Sequence, residues 1–396
     1  MVSVSEATSI IESHPFTPGV EVIPISSSCH RVLAEEIKAD RDFPPFNRVA
    51  MDGIAVSYAQ FESGCRSFPI AGMAAAGEAQ KELNNPESCL EVMTGAPLPI
   101  KTDTVIRYED INIINGEALL LINDVAKGQN IHYQGQDASA DQALLLPGTL
   151  LSPAEVALIA SIGKSNVQVM TLPRTAIVST GNELVDITDT PLPHQIRRSN
   201  SYALQNALSS LGCNSKLFHL PDQKDVILHE LTSIVDQHEL VILSGGVSKG
   251  KFDYVPEVLD ELGILKHFHK VKQKPGKPFW FGSSGGKTIF ALPGNPVSTF
   301  LCFYRYIKPW LWKSLGQVTT PEFAFLASDF MFKGNDMTYF LQVSIKNENG
   351  NLLAYPYPGG GSGDFANLKE VTGFMELPEN KGMYLKNEFY PIYRFR

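Results

Sequence analysis

The sequence lacks any long hydrophobic segment, since no run approaches the roughly 18 apolar residues that a bilayer-spanning helix needs. Its Met-Val-Ser-Val-Ser start also lacks the basic and apolar regions of a secretory signal peptide. Basic residues are in deficit: 33 lysines and arginines face 42 acidic residues, for a net charge of -9. A general nucleic-acid or anionic-membrane surface requires the opposite sign. We therefore expect a cytoplasmic protein that binds neither nucleic acid nor membranes and holds any anionic ligand by local features.

Cysteine is scarce as well. The five cysteines are odd in number, scattered, and never spaced as C-x-x-C, so the sequence suggests neither a disulfide framework nor a zinc knuckle. We expect reduced, mostly buried thiols.

The chain does have length and apolar content. With 396 residues, of which 43% are hydrophobic, it is long enough for two to four domains with cores of their own. We predict a multidomain protein of the α/β plus β class.

The amino-terminal region shows helical patterns. Apolar residues follow a serine-containing start at Ile10 and Ile11, and Val32, Leu33 and Ile37 form a stripe among acids. A second helix is predicted over residues 153–162, because Ser152 is a good N-cap. We assign residues 1–45 and 138–172 to a helical, interrupted N-terminal domain.

The interruption, residues 46–137, reads as an inserted β-rich domain. Short apolar runs alternate there with Gly, Pro and Asn clusters, including the hairpin signal Asn115-Gly116. The tail, residues 318–396, alternates aromatic and polar residues around Asn349-Gly350, which predicts a small β-barrel or sandwich domain.

Residues 173–317 read as a doubly wound α/β domain. Short continuous apolar runs at 176–178, 240–243 and 289–292 are typical of buried parallel strands, and helical patterns lie between them. Ligands in such sheets bind beyond the carboxyl ends of the strands.

Each predicted strand is followed by a loop of small residues, at 179–183, 244–248 and 293–296. Glycines let backbone N–H groups approach an anion closely, and Pro296 begins a helix whose free N-terminal donors face the same edge. These loops favour a phosphate group as ligand, although a tight strand-to-helix turn also needs glycine for structural reasons.

Charged residues accompany these loops. Lys272, Lys274 and Lys277 concentrate positive charge in a proline-containing turn, which suits an anionic substrate or a solvated basic loop. Glu183, Asp222 and Asp253 could hold Mg²⁺ near a phosphate, and Asp222 and Asp253 could equally be helix N-caps. His267 and His269 have the spacing of some metal pairs, but we interpret them as structural because no third ligand is near.

Six ordered segments resemble the motifs of one family. They are residues 44–55, 93–99, 179–184, 244–248, 274–278 and 292–298. The corresponding family patterns are P-P-F-x-x-S-A-M-D-G-Y-A, M-T-G-A-P-x-P, S-T-G-D-E-L, S-G-G-V-S, K-P-G-K-P and L-P-G-N-P-V-S. The chain resembles the MoeA family of molybdopterin molybdenumtransferases over residues 1 to about 375, and is also similar to the gephyrin E domain.

The resemblance implies an elongated homodimer in which the α/β domain of one subunit faces the inserted domain of the other. It also implies functional residues by motif position. Those with a catalytic role are Asp52, Thr94, Glu183 and Asp253, of which Asp52, Glu183 and Asp253 are the implied Mg²⁺ ligands. Those implied to bind substrate are His132, Asp137, Thr180, Gly181, Asp222, Ser244, Gly245, Gly246, Ser248, Lys274, Lys277, Pro293, Gly294, Asn295, Pro296 and Ser362.

The implied reaction takes adenylylated molybdopterin and molybdate as substrates, with Mg²⁺ as cofactor, inserts molybdenum into the dithiolene and releases AMP. The expected protein partners are a molybdopterin adenylyltransferase and molybdoenzyme chaperones.

Several positions depart from the family pattern. His132 replaces an arginine that clamps anions, so the oxyanion contact there is either weaker or supplied elsewhere. Arg198 replaces an acid, and Lys249 and Lys251 shift the local charge towards positive and are hypothetical substitutes for the missing arginine. The remaining departures are Gln136 for Glu and Asn182 for Asp.

Two other functions remain open from the residues. The α/β domain is similar to that of molybdopterin adenylyltransferases, although those have a G-G-T-G loop where this chain has Gly245-Gly246-Val247-Ser248. A non-catalytic cofactor-binding or scaffold protein of the same fold is the other alternative.

Overall fold

The computed structural model describes residues 1–247, 253–318, 320–334 and 336–396. The chain divides into two compact units. One contains Met1–Ile23, Ser28–Ala34 and Gln168–Arg396, and the other contains Pro24–Ser27 and Glu35–Val167. None of the helices within the described ranges is long and apolar enough to span a bilayer.

A six-stranded sheet forms the centre of the second unit. In sheet order its strands are Thr104–Arg107, Gly53–Val56, Cys89–Val92, Ser67–Ala74, Glu117–Leu120 and Ile111–Ile114. The strand Gly53–Val56 is buried along its whole length. Because side chains alternate across a strand, Ile54 and Val56 enter one apolar cluster and Ala55 enters another. The predicted hairpin is confirmed, since Asn115 and Gly116 both have positive φ angles, 51° and 82°.

Shorter elements complete the second unit. They are Ile25–Ser27, Ile37–Lys38, Arg48–Val49, Tyr58–Glu62, Tyr108–Asp110, Ile131–His132, Ala143–Leu145 and Pro153–Ser161. The helix Pro153–Ser161 confirms the prediction, with a capping box formed by Ser152 and Glu155. Segments before and after the sheet pair with each other, as at Phe43 and Ala138.

The predicted helical stripe at Val32, Leu33 and Ile37 is wrong. The first helix is Val4–Glu12, and Leu33 instead forms an antiparallel bridge with Val169. Both Val32 and Leu33 are buried, so their apolar character reflects burial in an extended segment, and so short an apolar run does not distinguish strand from helix.

A mixed six-stranded sheet forms the centre of the first unit. Its strands, in sheet order, are Ser215–Leu220, Thr175–Thr180, Leu240–Ser244, Lys287–Leu292, Trp280–Ser284 and Leu265–His269. The first four are parallel to one another, and Trp280–Ser284 is antiparallel to both of its neighbours, Lys287–Leu292 and Leu265–His269. The three predicted strands therefore lie side by side at the middle of the sheet, where apolar residues are buried on both faces.

Helices cover both faces of this sheet, since apolar residues from them join clusters on either side. They are Val4–Glu12, Ser199–Ser209, Lys224–Gln237, Val255–Glu261, Pro296–Cys302 and Lys308–Ser314, and the π-helical turn Phe303–Ile307 joins the last two. The amino-terminal helix belongs here because Trp310 Nε1 donates a hydrogen bond to the His14 carbonyl, at 2.8 Å. The remaining elements before the tail are the strands Val20–Pro24, Asn166–Met170, Leu184–Val185, Ile196–Arg197 and Gln273–Lys274.

The carboxyl-terminal strands close into a barrel. Five strands form the ring, namely Thr338–Glu348, Asn351–Pro356, Glu322–Leu326, Phe389–Arg394 and Gly373–Leu377, and the last pairs with the first. Closure leaves no edge strand within this ring. Two short strands, Phe330–Met331 and Met383–Tyr384, and the 3₁₀ helix Phe365–Lys369 flank it. The predicted fold class is confirmed in its α/β and barrel parts.

Candidate active site

Three loops at the carboxyl edge of the parallel strands surround one cavity of about 480 Å³. Because neighbouring parallel strands end at the same edge, the loops after Thr180, Ser244 and Leu292 converge there, as the strand order predicts. The cavity is lined by Ser179, Thr180, Gly181, Glu183, Leu184, Ile196, Arg197, Arg198, Ser199, Asn200, Asp222, Ser244, Gly245, Gly246, Val247, Asp253, Pro278, Pro293, Gly294, Asn295 and Pro296. Twelve of the predicted site residues are among them.

Glycine is required in the second loop for close packing. Gly245 has a φ of +101°, and a Cβ atom there would lie 2.7 Å from the Thr180 carbonyl oxygen. Gly246 has a φ of +68°, and its Cβ would lie 2.8 Å from Thr180 Oγ1. These glycines are therefore needed for packing, as the alternative interpretation holds. Because they have no side chains, their backbone also lines the cavity.

The hydroxyl group of Thr180 lies at this junction without a partner. Thr180 is 4% exposed and lines the cavity. Its Oγ1 atom is buried and forms no hydrogen bond with any residue that the structure describes. An unsatisfied buried hydroxyl is costly, so this group retains a hydrogen-bonding capacity that none of the described residues satisfies.

Asn200 connects the second and third loops, and the sequence analysis missed it. Its Nδ2 donates to Ser244 Oγ at 2.9 Å and to the Gly294 carbonyl at 2.8 Å. The residue sits in the first turn of the helix Ser199–Ser209. The only sequence signal was its place in the Ser-Asn-Ser segment, which follows Arg198. Asn200 therefore fixes the width of the cavity between two loops.

The three predicted acids line this cavity together. Asp222 is held in a reciprocal pair: the Asn182 N–H donates to its Oδ2 at 3.2 Å, and its own N–H donates to Asn182 Oδ1 at 3.1 Å. It does not cap the following helix, which begins at Lys224 with Gln223 in the N-cap position. The helix after Asp253 begins at Val255, and there Tyr254 occupies the N-cap.

The donor set can be compared with the requirements of Mg²⁺. Among residues 1–247, 253–318, 320–334 and 336–396, no group of three His, Cys, Asp or Glu side chains is arranged to hold a metal by itself. Mg²⁺ commonly uses one or two carboxylates together with water and substrate phosphates. Glu183 and Asp253 in one cavity fit an ion of that kind, bound together with a phosphate-bearing ligand.

A second cavity, of about 280 Å³, contains the predicted lysines. Lys274, Lys277 and Ser362 line it, and it shares Pro293 and Asn295 with the first cavity. Asn295 Nδ2 donates to Ser362 Oγ at 2.9 Å.

The predicted helix N-terminus offers fewer free donors than expected. The helix does begin at Pro296, but the Val297 N–H donates to the Ser362 carbonyl at 3.1 Å. A backbone contact therefore takes one of the donors that had been assigned to an anion.

Four other predicted residues lie in the second unit, where they form two hydrogen-bonded pairs. Both the N–H and the hydroxyl of Thr94 donate to Asp52 Oδ1, at 2.6 and 2.8 Å. These bonds lower the pKa of Asp52 below its ordinary value, the backbone bond contributing most. His132 Nε2 lies 2.8 Å from Asp137 Oδ1, and His132 Nδ1 lies 2.9 Å from Arg48 Nη2.

The residues still to be placed are one serine, two lysines and two histidines. Ser248, Lys249 and Lys251 lie outside the described residues. His267 Nε2 contacts Ser283 Oγ at 2.7 Å, and His269 Nε2 contacts the Val247 carbonyl at 3.0 Å. Both imidazoles are thus engaged inside the fold, in agreement with their structural interpretation.

Comparison with known proteins covers almost the whole chain. Residues 2–163 match the MoeA N-terminal region (domains I and II), residues 176–313 match a probable molybdopterin binding domain, and residues 325–393 match the MoeA C-terminal region (domain IV). A molybdopterin molybdenumtransferase of Synechocystis sp. is 41% identical over 99% of this chain and 100% of its own length. Its counterpart in Bacillus subtilis is 31% identical over 90% of this chain and 86% of its own.

Solved structures agree. The crystal structure of a molybdopterin biosynthesis MoeA protein from Pyrococcus horikosii has a TM-score of 0.81 and 29% sequence identity, and the match covers 100% of this chain and 99% of that one. The chain therefore belongs to the MoeA family and is a molybdopterin molybdenumtransferase, an enzyme of molybdenum cofactor biosynthesis.

Proposed function

We propose that this transferase inserts molybdate into adenylylated molybdopterin in a Mg²⁺-dependent reaction that releases AMP. The observation that carries the proposal is the cavity of about 480 Å³ at the carboxyl edge of the parallel strands. It combines glycine-loop backbone, three carboxylates and a buried hydroxyl that has no hydrogen-bond partner among the described residues. That combination suits a phosphate-bearing nucleotide portion of a substrate.

The glycine loops would orient the anion. Gly245 and Gly246 allow the backbone to approach a phosphate closely. Thr180 Oγ1 would donate to the ligand a hydrogen bond that it forms with none of the described residues. Asn200 keeps the second and third loops at a fixed separation. Preorganised donors of this kind stabilise developing charge without reorganisation during the reaction.

The charged residues would bind the metal ion, attract anionic substrates and contact the nucleotide portion. Glu183 and Asp253 would hold Mg²⁺, which when bound screens phosphoryl charge. Lys274 and Lys277, on the wall of the neighbouring cavity, would attract and offset anionic substrates, molybdate included. Asp222, fixed by Asn182, would contact the nucleotide portion.

The cluster around Asp52 would complete the reaction. We propose that the protein is a homodimer and that the part of one subunit that carries Asp52, Thr94, His132 and Asp137 completes the site in which the α/β domain of the other subunit holds substrate. A molybdopterin adenylyltransferase would supply the substrate, and molybdoenzyme chaperones would accept the product, in the cytoplasm. The family resemblance supports this arrangement.

A direct assay tests the proposal. Purified protein is given adenylylated molybdopterin, molybdate and Mg²⁺, and AMP release and cofactor formation are followed together. We expect both to require molybdate. Formation of adenylylated molybdopterin from molybdopterin and ATP, with no molybdate-dependent AMP release, would instead identify an adenylyltransferase, and neither activity would indicate a scaffold.

Asp52→Ala tests the role of the acid that Thr94 holds. We expect the rate of AMP release to fall by about a hundredfold, the effect of losing one group that stabilises a transition state. Asp124→Ala, which changes an exposed aspartate of the same unit, is the matched control and should retain the wild-type rate. Wild-type activity in a folded Asp52→Ala protein would remove Asp52 from the mechanism.

A further inference from the structure

The structure joins three side chains of the second unit in a hydrogen-bonded series. Arg48 Nη2 lies 2.9 Å from His132 Nδ1, and His132 Nε2 lies 2.8 Å from Asp137 Oδ1. Arg48 and His132 are direct antiparallel partners, so their side chains leave the same face of the ribbon.

The direction of these hydrogen bonds follows from chemistry. Arginine has only donors, so His132 Nδ1 must accept from Arg48. The ring proton therefore lies on Nε2, where it is donated to Asp137. In this arrangement Asp137 selects the tautomer whose Nδ1 accepts the hydrogen bond from Arg48.

The charge of Arg48 is not neutralised by this contact. Among the residues that the structure describes, Arg48 has no carboxylate within ion-pair distance, and its other four N–H donors form no hydrogen bond. In contrast, Arg107 of the same unit is paired with Asp110 at 2.9 Å. Arg48 is exposed, so its guanidinium is a fixed cation with donors to spare in a chain of net charge -9.

Arg48 also lies beside the Asp52 cluster. The Val49 N–H donates to the Ala96 carbonyl, and the Gly95 N–H donates to the Val49 carbonyl. The segment carrying Arg48 is thus flanked by the Thr94 segment on one side and by Ile131–His132 on the other. Backbone hydrogen bonds therefore join the Arg48 segment to the Thr94 segment, and Thr94 in turn donates two hydrogen bonds to Asp52.

We propose that Arg48 is an anion-binding residue of this enzyme, which contacts a phosphate-type oxyanion of the substrate, and that His132 and Asp137 are positioning residues that aim its guanidinium. The proposal rests on the proposed function, because that function brings an anionic substrate to this face. It also accounts for His132, which stands where the family pattern has an arginine: the neighbouring strand would supply the cation here, and the histidine would hold it in place.

Steady-state kinetics of AMP release test the proposal, with adenylylated molybdopterin varied at saturating molybdate. In Arg48→Ala we expect KM to rise about tenfold with little change in kcat, the effect of losing one charge-assisted hydrogen bond made in both ground and transition states. The dependence of KM on ionic strength should weaken as well, because one cation no longer faces the anion. Arg48→Lys should restore part of the affinity.

Two further variants distinguish the contact that Arg48 makes with the anion from the positioning of Arg48 by His132. His132→Ala keeps the Arg48 guanidinium but removes its hydrogen-bond partner, so it should raise KM by less than Arg48→Ala does. Arg48→Ala combined with His132→Arg returns a guanidinium to the neighbouring position and should recover most of the lost affinity. Arg41→Ala, at an exposed arginine whose contact with Asp40 is 3.9 Å, is the control and should behave as wild type. Thermal melting of each variant verifies folding.

Normal wild-type turnover with an unchanged KM in folded Arg48→Ala would overturn this inference alone. So would failure of His132→Arg to rescue the Arg48→Ala variant. Absence of molybdate-dependent AMP release from the wild-type protein would overturn the proposed function, and this inference with it.

Discussion

At the scale of single residues, a change at Thr180 should affect the stability of the fold and the binding of substrate in opposite directions. Replacing it with valine keeps the shape and removes a hydroxyl that has no partner in the part of the chain that the structure describes. We expect Thr180→Val to leave stability unchanged or raised by up to about 1 kcal/mol, because an unsatisfied buried polar group is removed. The KM for adenylylated molybdopterin should rise about tenfold.

Thr175 provides the matched control for that measurement. It starts the same strand, is also buried, and its hydroxyl donates to the Pro173 carbonyl at 2.9 Å. Thr175→Val should lose about 1 kcal/mol of stability and keep the wild-type KM. Chemical denaturation and kinetics measure both quantities, and equal effects from the two variants would contradict the assignment of Thr180 to the ligand.

His267 makes stability depend on pH. Burial lowers its pKa below the ordinary 6.5, and the neighbouring His14, whose ring centroid is 3.8 Å away, lowers it further. Since the folded pKa lies below the unfolded one, the unfolded chain binds the proton more readily, so stability is lost as the pH falls through and below about 6.5. Melting temperatures should therefore fall between about pH 7.5 and pH 5.5.

His267→Asn should flatten that dependence, because the titrating group is gone while a polar side chain remains near Ser283. The variant should melt at a lower temperature at neutral pH, where it loses packing against Phe281. An unchanged slope of melting temperature against pH would show that other groups control the effect.

At the scale of elements, the second glycine loop gives a sharp comparison. Gly245 and Gly263 both have positive φ angles, +101° and +70°. A Cβ at Gly245 would meet the Thr180 carbonyl at 2.7 Å, whereas nothing lies within 4 Å of one at Gly263. Each alanine substitution incurs backbone strain of about 1 kcal/mol.

Gly245→Ala should therefore destabilise the protein by about 1 to 3 kcal/mol more than Gly263→Ala, because it adds a steric clash to the strain. It should also abolish most AMP release, since the loop must move away from Thr180. Denaturation curves of the two variants give the difference, and equal losses of stability would mean that the loop yields easily.

The elements also show what sequence patterns can and cannot predict. The three central strands were predicted because they are buried on both faces and read as continuous apolar runs. The edge strand Ser215–Leu220 was missed because five of its six residues are exposed or only partly buried, so it carries no such run. The helix predicted at Val32 to Ile37 was wrong because the apolar residues of a buried extended segment can have the spacing of a helix.

The same limit applied to the candidate site. Motif positions placed twelve site residues around one cavity, because loops at the ends of neighbouring parallel strands must meet. Asn200 and Arg48 were missed because their roles depend on partners 44 and 84 residues away in the sequence. No local pattern encodes contacts at that separation.

At the scale of the whole molecule, mixing two inactive variants tests the proposed dimer. Asp52→Ala and Glu183→Gln alter different units of the chain. If one active site uses Asp52 of one subunit and Glu183 of the other, half of the randomly mixed dimers are hybrids, each with one intact site. The mixture should then recover about a quarter of the wild-type AMP release.

Subunit exchange by mild denaturation and refolding prepares the mixture, and each variant refolded alone is the control. If both residues act within a single subunit, no hybrid contains an intact site and the mixture stays inactive. That result would reject the shared site while leaving the reaction itself in place.

Pro293 and Asn295 form a common wall between the two cavities of the first unit. A ligand that shifted these two residues from one side would reshape the cavity on the other side, and the two binding equilibria would then be thermodynamically coupled. By reciprocity, the factor by which a nucleotide changes oxyanion affinity equals the factor by which the oxyanion changes nucleotide affinity.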